Sequence, residues 1–91
     1  MNLEELRNEI DKIDDGIVEL LAKRIKIVEN IGQVKIREEL ATYQPEREKI
    51  VLEKLKIRAK EYGFEDKFID DLYKLIFTES KKIQERNAKG I

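Results

Sequence analysis

The chain has 91 residues, of which 43% are charged and 41% hydrophobic, with one proline and four glycines, so it holds one domain at most. Its 19 Lys+Arg nearly balance its 20 Asp+Glu, and the signs are interspersed, which argues against a basic nucleic-acid groove, an acidic tail or a membrane-surface patch. Cysteine and histidine are absent, and with them go thiol nucleophiles, disulfides, the usual zinc sites and imidazole bases.

No membrane-length apolar run and no N-terminal signal pattern occurs, so a cytoplasmic protein with neither membrane nor nucleic-acid partners is expected. The apolar residues recur at helical spacing and strand signals are missing, which predicts an all-α fold.

The first predicted helix covers residues 3 to about 38. Leu3, Ile10, Ile17 and Ile31 occupy one heptad position, and Leu6, Ile13, Leu20, Ile27 and Val34 the other. At 1.5 Å per residue this is a rod of roughly 50 Å. A compact chain of this length has a radius of gyration of about 12 Å. The rod therefore protrudes, and its seam needs a second chain to cover it. Arg24 stands where the heptad asks for an aliphatic residue, and an unpaired guanidinium in an apolar seam calls for an anion. Gly16 and Gly32 each cost about 1 kcal/mol against alanine in a helix interior, so packing must hold this helix.

Tyr43-Gln44-Pro45 breaks the pattern, because the residue before proline avoids helix while Pro45 suits a first turn. The second helix is predicted over about 45–62, with Glu46 and Glu48 near its positive end. Its stripe of Leu52, Leu55, Ala59 and Tyr62, extended backwards, reaches Glu48 and Gln44. Gly63 reads as the residue that ends it. The third helix is predicted over about 66–86, with a stripe of Ile69, Leu72/Tyr73 and Ile76 that carries on to Ser80, Ile83 and Gln84. The tail from Arg86 is expected to fray. Glu19/Lys23 and Asp70/Lys74 have the spacing of surface pairs, and Lys81-Lys82 reads as a solvated face.

Each helix thus carries polar residues on an otherwise buried stripe: Arg24, Gln44, Glu48, Ser80 and Gln84. That points to a shared polar cavity inside a helical bundle. Arg24 and Lys35, eleven residues apart, lie on one helix face and about 16 Å apart along it. Arg7 lies seventeen residues before Arg24, roughly 25 Å away. It can join Arg24 around a small molecule only from the antiparallel helix of a second chain.

These residues resemble a known family, the all-helical chorismate mutases of the AroQ class. The resemblance runs over almost the whole chain. It rests on Leu6-Arg7-x-x-Ile10-Asp11-x-Ile13-Asp14, Leu20-Leu21-x-x-Arg24, Ile31-Gly32-x-x-Lys35, Pro45-x-Arg47-Glu48 and Ser80-x-x-x-Gln84. It implies three helices per chain in an intertwined homodimer, with two active sites shared between subunits. The implied reaction is the cofactor-independent and metal-free Claisen rearrangement of chorismate to prephenate, a shikimate-pathway step toward phenylalanine and tyrosine.

By position, the resemblance implies that Arg7 reaches a substrate carboxylate across the dimer and that Arg24 binds a carboxylate in its own chain. Lys35 would bond the ether oxygen and the adjacent carboxylate, with Gln84 on the same ether oxygen. Glu48 would take the ring hydroxyl, Ser80 a carboxylate, and Arg47 would support the hydroxyl end. The family commonly has Asp where this chain has Gln44, so altered hydroxyl binding and a poorer helix cap are expected. Gly16 has no functional reading.

Taken singly, each residue has a plainer explanation. Arg24 or Arg47 can be salt-bridged at the surface, Lys35 can cover apolar area with its stem, Glu48 can support the helix dipole, and Arg7, Ser80 and Gln84 can face solvent. Two other functions stay open on this fold: isochorismate pyruvate lyase, and a non-catalytic binding or regulatory module. Glu48 favours the mutase, since the lyase pattern has an apolar residue there. Association with another shikimate-pathway enzyme is also left open.

Overall fold

The computed structural model describes residues 1–89. Three helices follow in order, α1 (Leu3–Arg37), α2 (Pro45–Lys60) and α3 (Asp66–Lys89), and no strand occurs among the described residues. The chain is all-α with a very long first helix, as its periodicity requires.

Local chemistry sets the boundaries. The Asn2 side chain caps α1 by accepting from the Glu5 backbone N–H at 2.8 Å. Glu4 and Glu5 in the first turn complement the positive end of the helix dipole. At the other end, Glu39 N–H donates to Ile36 O (3.2 Å) and Leu40 N–H to Lys35 O (2.7 Å). This is a Schellman ending. It holds Glu39 at φ +57°, a left-handed conformation that costs a residue with a side chain about 1 kcal/mol.

Pro45 opens α2, and Gln44 before it makes no side-chain capping bond, which is the poorer cap expected of glutamine. α2 closes at Lys60 rather than 62. Its last turn folds over through Gly63 N–H to Lys60 O (3.0 Å) and Phe64 N–H to Ala59 O (3.1 Å). Gly63, at φ +82°, supplies the left-handed residue this second Schellman motif needs. α3 stays helical beyond the expected end near 86, through Lys89, so Arg86 to Lys89 do not fray. The expectation for Gly90 and Ile91 falls outside the described residues.

α3 packs against both α1 and α2, which do not pack on each other. Among the described residues the buried apolar side chains are Val28 from α1, Ala59 from α2, and Ile69 and Ile83 from α3. Burying a valine or isoleucine such as Val28, Ile69 or Ile83 contributes about 1.5–3 kcal/mol, and Ala59 less.

The heptad seam of α1 is uncovered. Leu3, Leu6, Ile10, Ile13, Ile17, Leu20, Ile27 and Ile31 are all exposed, from 44% at Ile31 to 65% at Leu20, while Val34 is half-buried. The protomer measures 54 × 27 × 15 Å with a radius of gyration of 16.4 Å, well above the compact value of about 12 Å.

Two expectations need correction. The helical spacing puts Tyr62 on the inward stripe of α2, yet it is 65% exposed. It lies beyond the last regular turn, where its hydroxyl accepts from Arg58 Nη2 at 2.9 Å. Asp70 does not pair with Lys74. It meets Lys56 of α2 at 2.6 Å instead, a contact that ties α2 to α3. The Glu19–Lys23 pair does form, at 3.4 Å on the surface of α1. No described helix is long and apolar enough to cross a membrane.

Candidate active site

Where the second half of α1 faces the start of α2 and the end of α3, the three polar stretches converge on one cavity of about 420 Å³. That volume lies within the usual range for small-molecule sites. Arg24 and Lys35 enter it from α1, Arg47 and Glu48 from α2, Ser80 and Gln84 from α3, and Gln44 from the connecting segment. Val28, Ile31, Val51 and Phe77 form its apolar wall. All the predicted site residues but one are therefore together. The exception is Arg7, which is exposed near the far end of the rod and does not line this cavity.

Arg24 does find a partner for its break in the seam. Its Nη1 donates to Ser80 Oγ at 2.6 Å, and Ser80 donates onward to the Ile76 carbonyl at 2.9 Å. Phe77 lies beside the guanidinium, 6.0 Å from ring centroid to Cζ. Only one of the five guanidinium N–H donors is used by Ser80, so the others are left for an anion.

Lys35 is fixed at both sides. Its Nζ donates to the Thr42 carbonyl at 2.8 Å and to Gln84 Oε1 at 2.9 Å. The Schellman turn after α1 brings Thr42 back to this position. An ammonium can only donate, so Lys35 holds the Gln84 amide oxygen and leaves the amide N–H₂ as a donor. Burial pushes the Lys35 ammonium below the ordinary lysine value of 10.5, and the charge of Glu48 opposes that shift.

Gln84 is itself buried, at 7% exposure. It rests on Gly32, where a built Cβ would stand only 3.1 Å from Gln84 Cγ. The missing side chain at Gly32 lets α3 approach α1 closely enough for the Lys35–Gln84 contact. Gly16 differs, since a Cβ there would meet nothing within 4 Å in the protomer.

Lys81, whose place beside Lys82 reads as a solvated face, belongs to the site instead. Lys81 lines the cavity, pairs with Glu48 Oε2 at 3.4 Å and sits 4.4 Å from the centre of the Tyr43 ring. Its position one residue past Ser80 was the available signal, but only the crossing of α2 over α3 turns it inward.

Four cations (Arg24, Lys35, Arg47 and Lys81) and one carboxylate (Glu48) line the cavity. That excess suits a small organic dianion. A larger apolar groove of about 620 Å³ runs from this site between α1 and α3, lined by Ile17, Leu20, Leu21, Leu72 and Leu75 among others. Groove and cavity share Arg24 and Ser80.

Residues 6–85 match the model of the family described as chorismate mutase type II. The chain is 44% identical over 80 residues to the bifunctional chorismate mutase/prephenate dehydratase of Buchnera aphidicola subsp. Schizaphis graminum, covering 88% of this chain and 21% of that protein. It is 25% identical over 84 residues to the chorismate mutase of Methanocaldococcus jannaschii, covering 92% of this chain and 85% of that one. To the 4-amino-4-deoxychorismate mutase of Streptomyces venezuelae it is 28% identical over 83 residues, or 91% and 81% of the two chains. The chain spans about a fifth of the length of the bifunctional relatives it matches.

Proposed function

The chain belongs to the chorismate mutase type II family, and from that membership and the geometry of the cavity we propose that it rearranges chorismate to prephenate. We further propose that it works in the cytoplasm as an intertwined homodimer whose two sites each take Arg7 of the partner subunit. The observation that carries the reading is the Lys35–Gln84 pair inside a cavity with Arg24–Ser80 at one side and Glu48 at the other.

In this rearrangement a C–O bond breaks as a C–C bond forms within one molecule, so no atom, electron or proton is exchanged with the protein. Catalysis is then a matter of holding the reactive shape and stabilising developing charge. Arg24 and the partner's Arg7 grip the two carboxylates and keep the side chain over the ring. Lys35 Nζ and the Gln84 amide N–H₂ meet the ether oxygen, which gains partial negative charge as its bond breaks. Their interaction is stronger in the transition state than in the bound substrate. Ser80 steadies Arg24 through the bond they share and sits against the same carboxylate. Glu48 accepts from the ring hydroxyl, Gln44 bonds it in place of the family's usual carboxylate, and Arg47 supports that end. A millionfold acceleration requires about 8 kcal/mol, within reach of a two-point clamp and a buried cation together.

The uncovered α1 seam and the apolar groove that ends at Arg24 and Ser80 support the dimer. An antiparallel partner helix seated there brings its N-terminal half, with Arg7, to the mouth of the site. Association with another enzyme of the pathway is supported by the fused Buchnera relative.

The test is direct. Purified protein without added metal should consume chorismate, with the prephenate then converted by acid to phenylpyruvate and quantified. Salicylate and pyruvate formed from isochorismate would instead identify a lyase, and no turnover of either would leave a binding module.

A further inference from the structure

We infer that Lys81 is a specificity-determining residue, which neutralises Glu48 so that the cavity takes a neutral ring hydroxyl and rejects a ring ammonium. The inference rests on the proposed mutase reading. Glu48 is the one carboxylate lining the cavity among the described residues. The carboxylates of a dianionic substrate go to the cations, so the remaining polar substituent of the ring faces Glu48.

A lone half-buried carboxylate would attract an ammonium there at least as well as a hydroxyl. Lys81 removes that preference. Its Nζ stands 3.4 Å from Glu48 Oε2, and both side chains are largely shielded, at 31% and 27% exposure. The lysine also meets the Tyr43 ring, with Nζ 4.4 Å from its centre, a cation–π contact that favours this position. Gln44, adjoining the same end, contributes no charge, and Arg47 adds a positive one. The hydroxyl end therefore carries a net positive charge. An amine on the substrate ring, protonated at neutral pH, would meet that charge with no unpaired anion to receive it.

The experiment compares kcat/KM for chorismate and for 4-amino-4-deoxychorismate, in the full chain and in Lys81→Met and Lys81→Arg. The unaltered chain should favour chorismate. Lys81→Met, which keeps the stem and removes the charge, should shift the ratio toward the amine by about tenfold, while Lys81→Arg keeps the original ratio. Loss of packing alone would lower both values together and leave the ratio in place. A ratio in Lys81→Met within about twofold of the original overturns the assignment, as does Lys81→Arg behaving like Lys81→Met. Turnover of neither substrate by the unaltered chain overturns the mutase reading and this inference with it. Turnover of chorismate with an unmoved ratio overturns this inference alone.

Discussion

Lys35 concentrates the chemistry at the scale of one side chain. In the proposed mechanism it must be charged to stabilise the ether oxygen, and burial makes that charge easier to lose than in an ordinary lysine. Activity on free enzyme should therefore fall as pH rises through a value below 10.5, the point at which an unburied lysine would titrate. A bound dianion favours the protonated form, so the alkaline limb of kcat should lie at higher pH than that of kcat/KM. Initial rates across pH 7–11 at low and saturating chorismate check both statements. Most of the cavity lining was legible in the sequence. Arg24 announced itself as a charge in a heptad seam, and Glu48, Ser80 and Gln84 as polar ends of apolar stripes. Lys81 and the Thr42 carbonyl were not legible. A backbone acceptor leaves no mark on residue type, and a lysine beside another lysine looks solvated until a second helix covers it.

Between elements, the decisive contact is the close approach of α1 and α3 at Gly32. An alanine there gains helix propensity of about 1 kcal/mol but puts a methyl 3.1 Å from Gln84 Cγ. Gly32→Ala should keep its helical circular dichroism yet lose roughly tenfold in kcat/KM, as a displaced Gln84 loses its alignment with Lys35. The turn after α1 makes a separate prediction. Glu39 occupies a left-handed position that glycine fills without strain, so Glu39→Gly should raise stability to urea by about 0.5–1 kcal/mol and leave kcat/KM in place. Helix existence and order were readable from periodicity, Pro45 and Gly63. Ends were less so, because α3 continues past Arg86 through residues that include no proline or glycine, and Asp70 chose Lys56 across the helix interface over Lys74 on its own helix.

At the scale of the whole molecule, the proportions of the protomer are themselves informative. A protomer 54 Å long, with an exposed aliphatic seam and four buried apolar side chains among the described residues, has the proportions expected of half of the proposed assembly. The seam was readable from the heptads, and the mismatch between rod length and compact size is what motivates the proposed second chain. The path of the partner is not encoded in any local signal. The path proposed for it is the groove that joins the seam to the cavity at Arg24 and Ser80. Sharing of the site between subunits is the central claim, and subunit mixing tests it most directly. Arg7→Ala and Lys35→Ala homodimers should each be nearly inactive toward chorismate. Mixed in equal amounts and allowed to exchange, they form heterodimers with one intact site and one doubly altered site. About half of the dimers are then mixed, so activity should recover to about a quarter of the unaltered protein. No recovery, with exchange verified by mass-tagged subunits, would contradict the shared site.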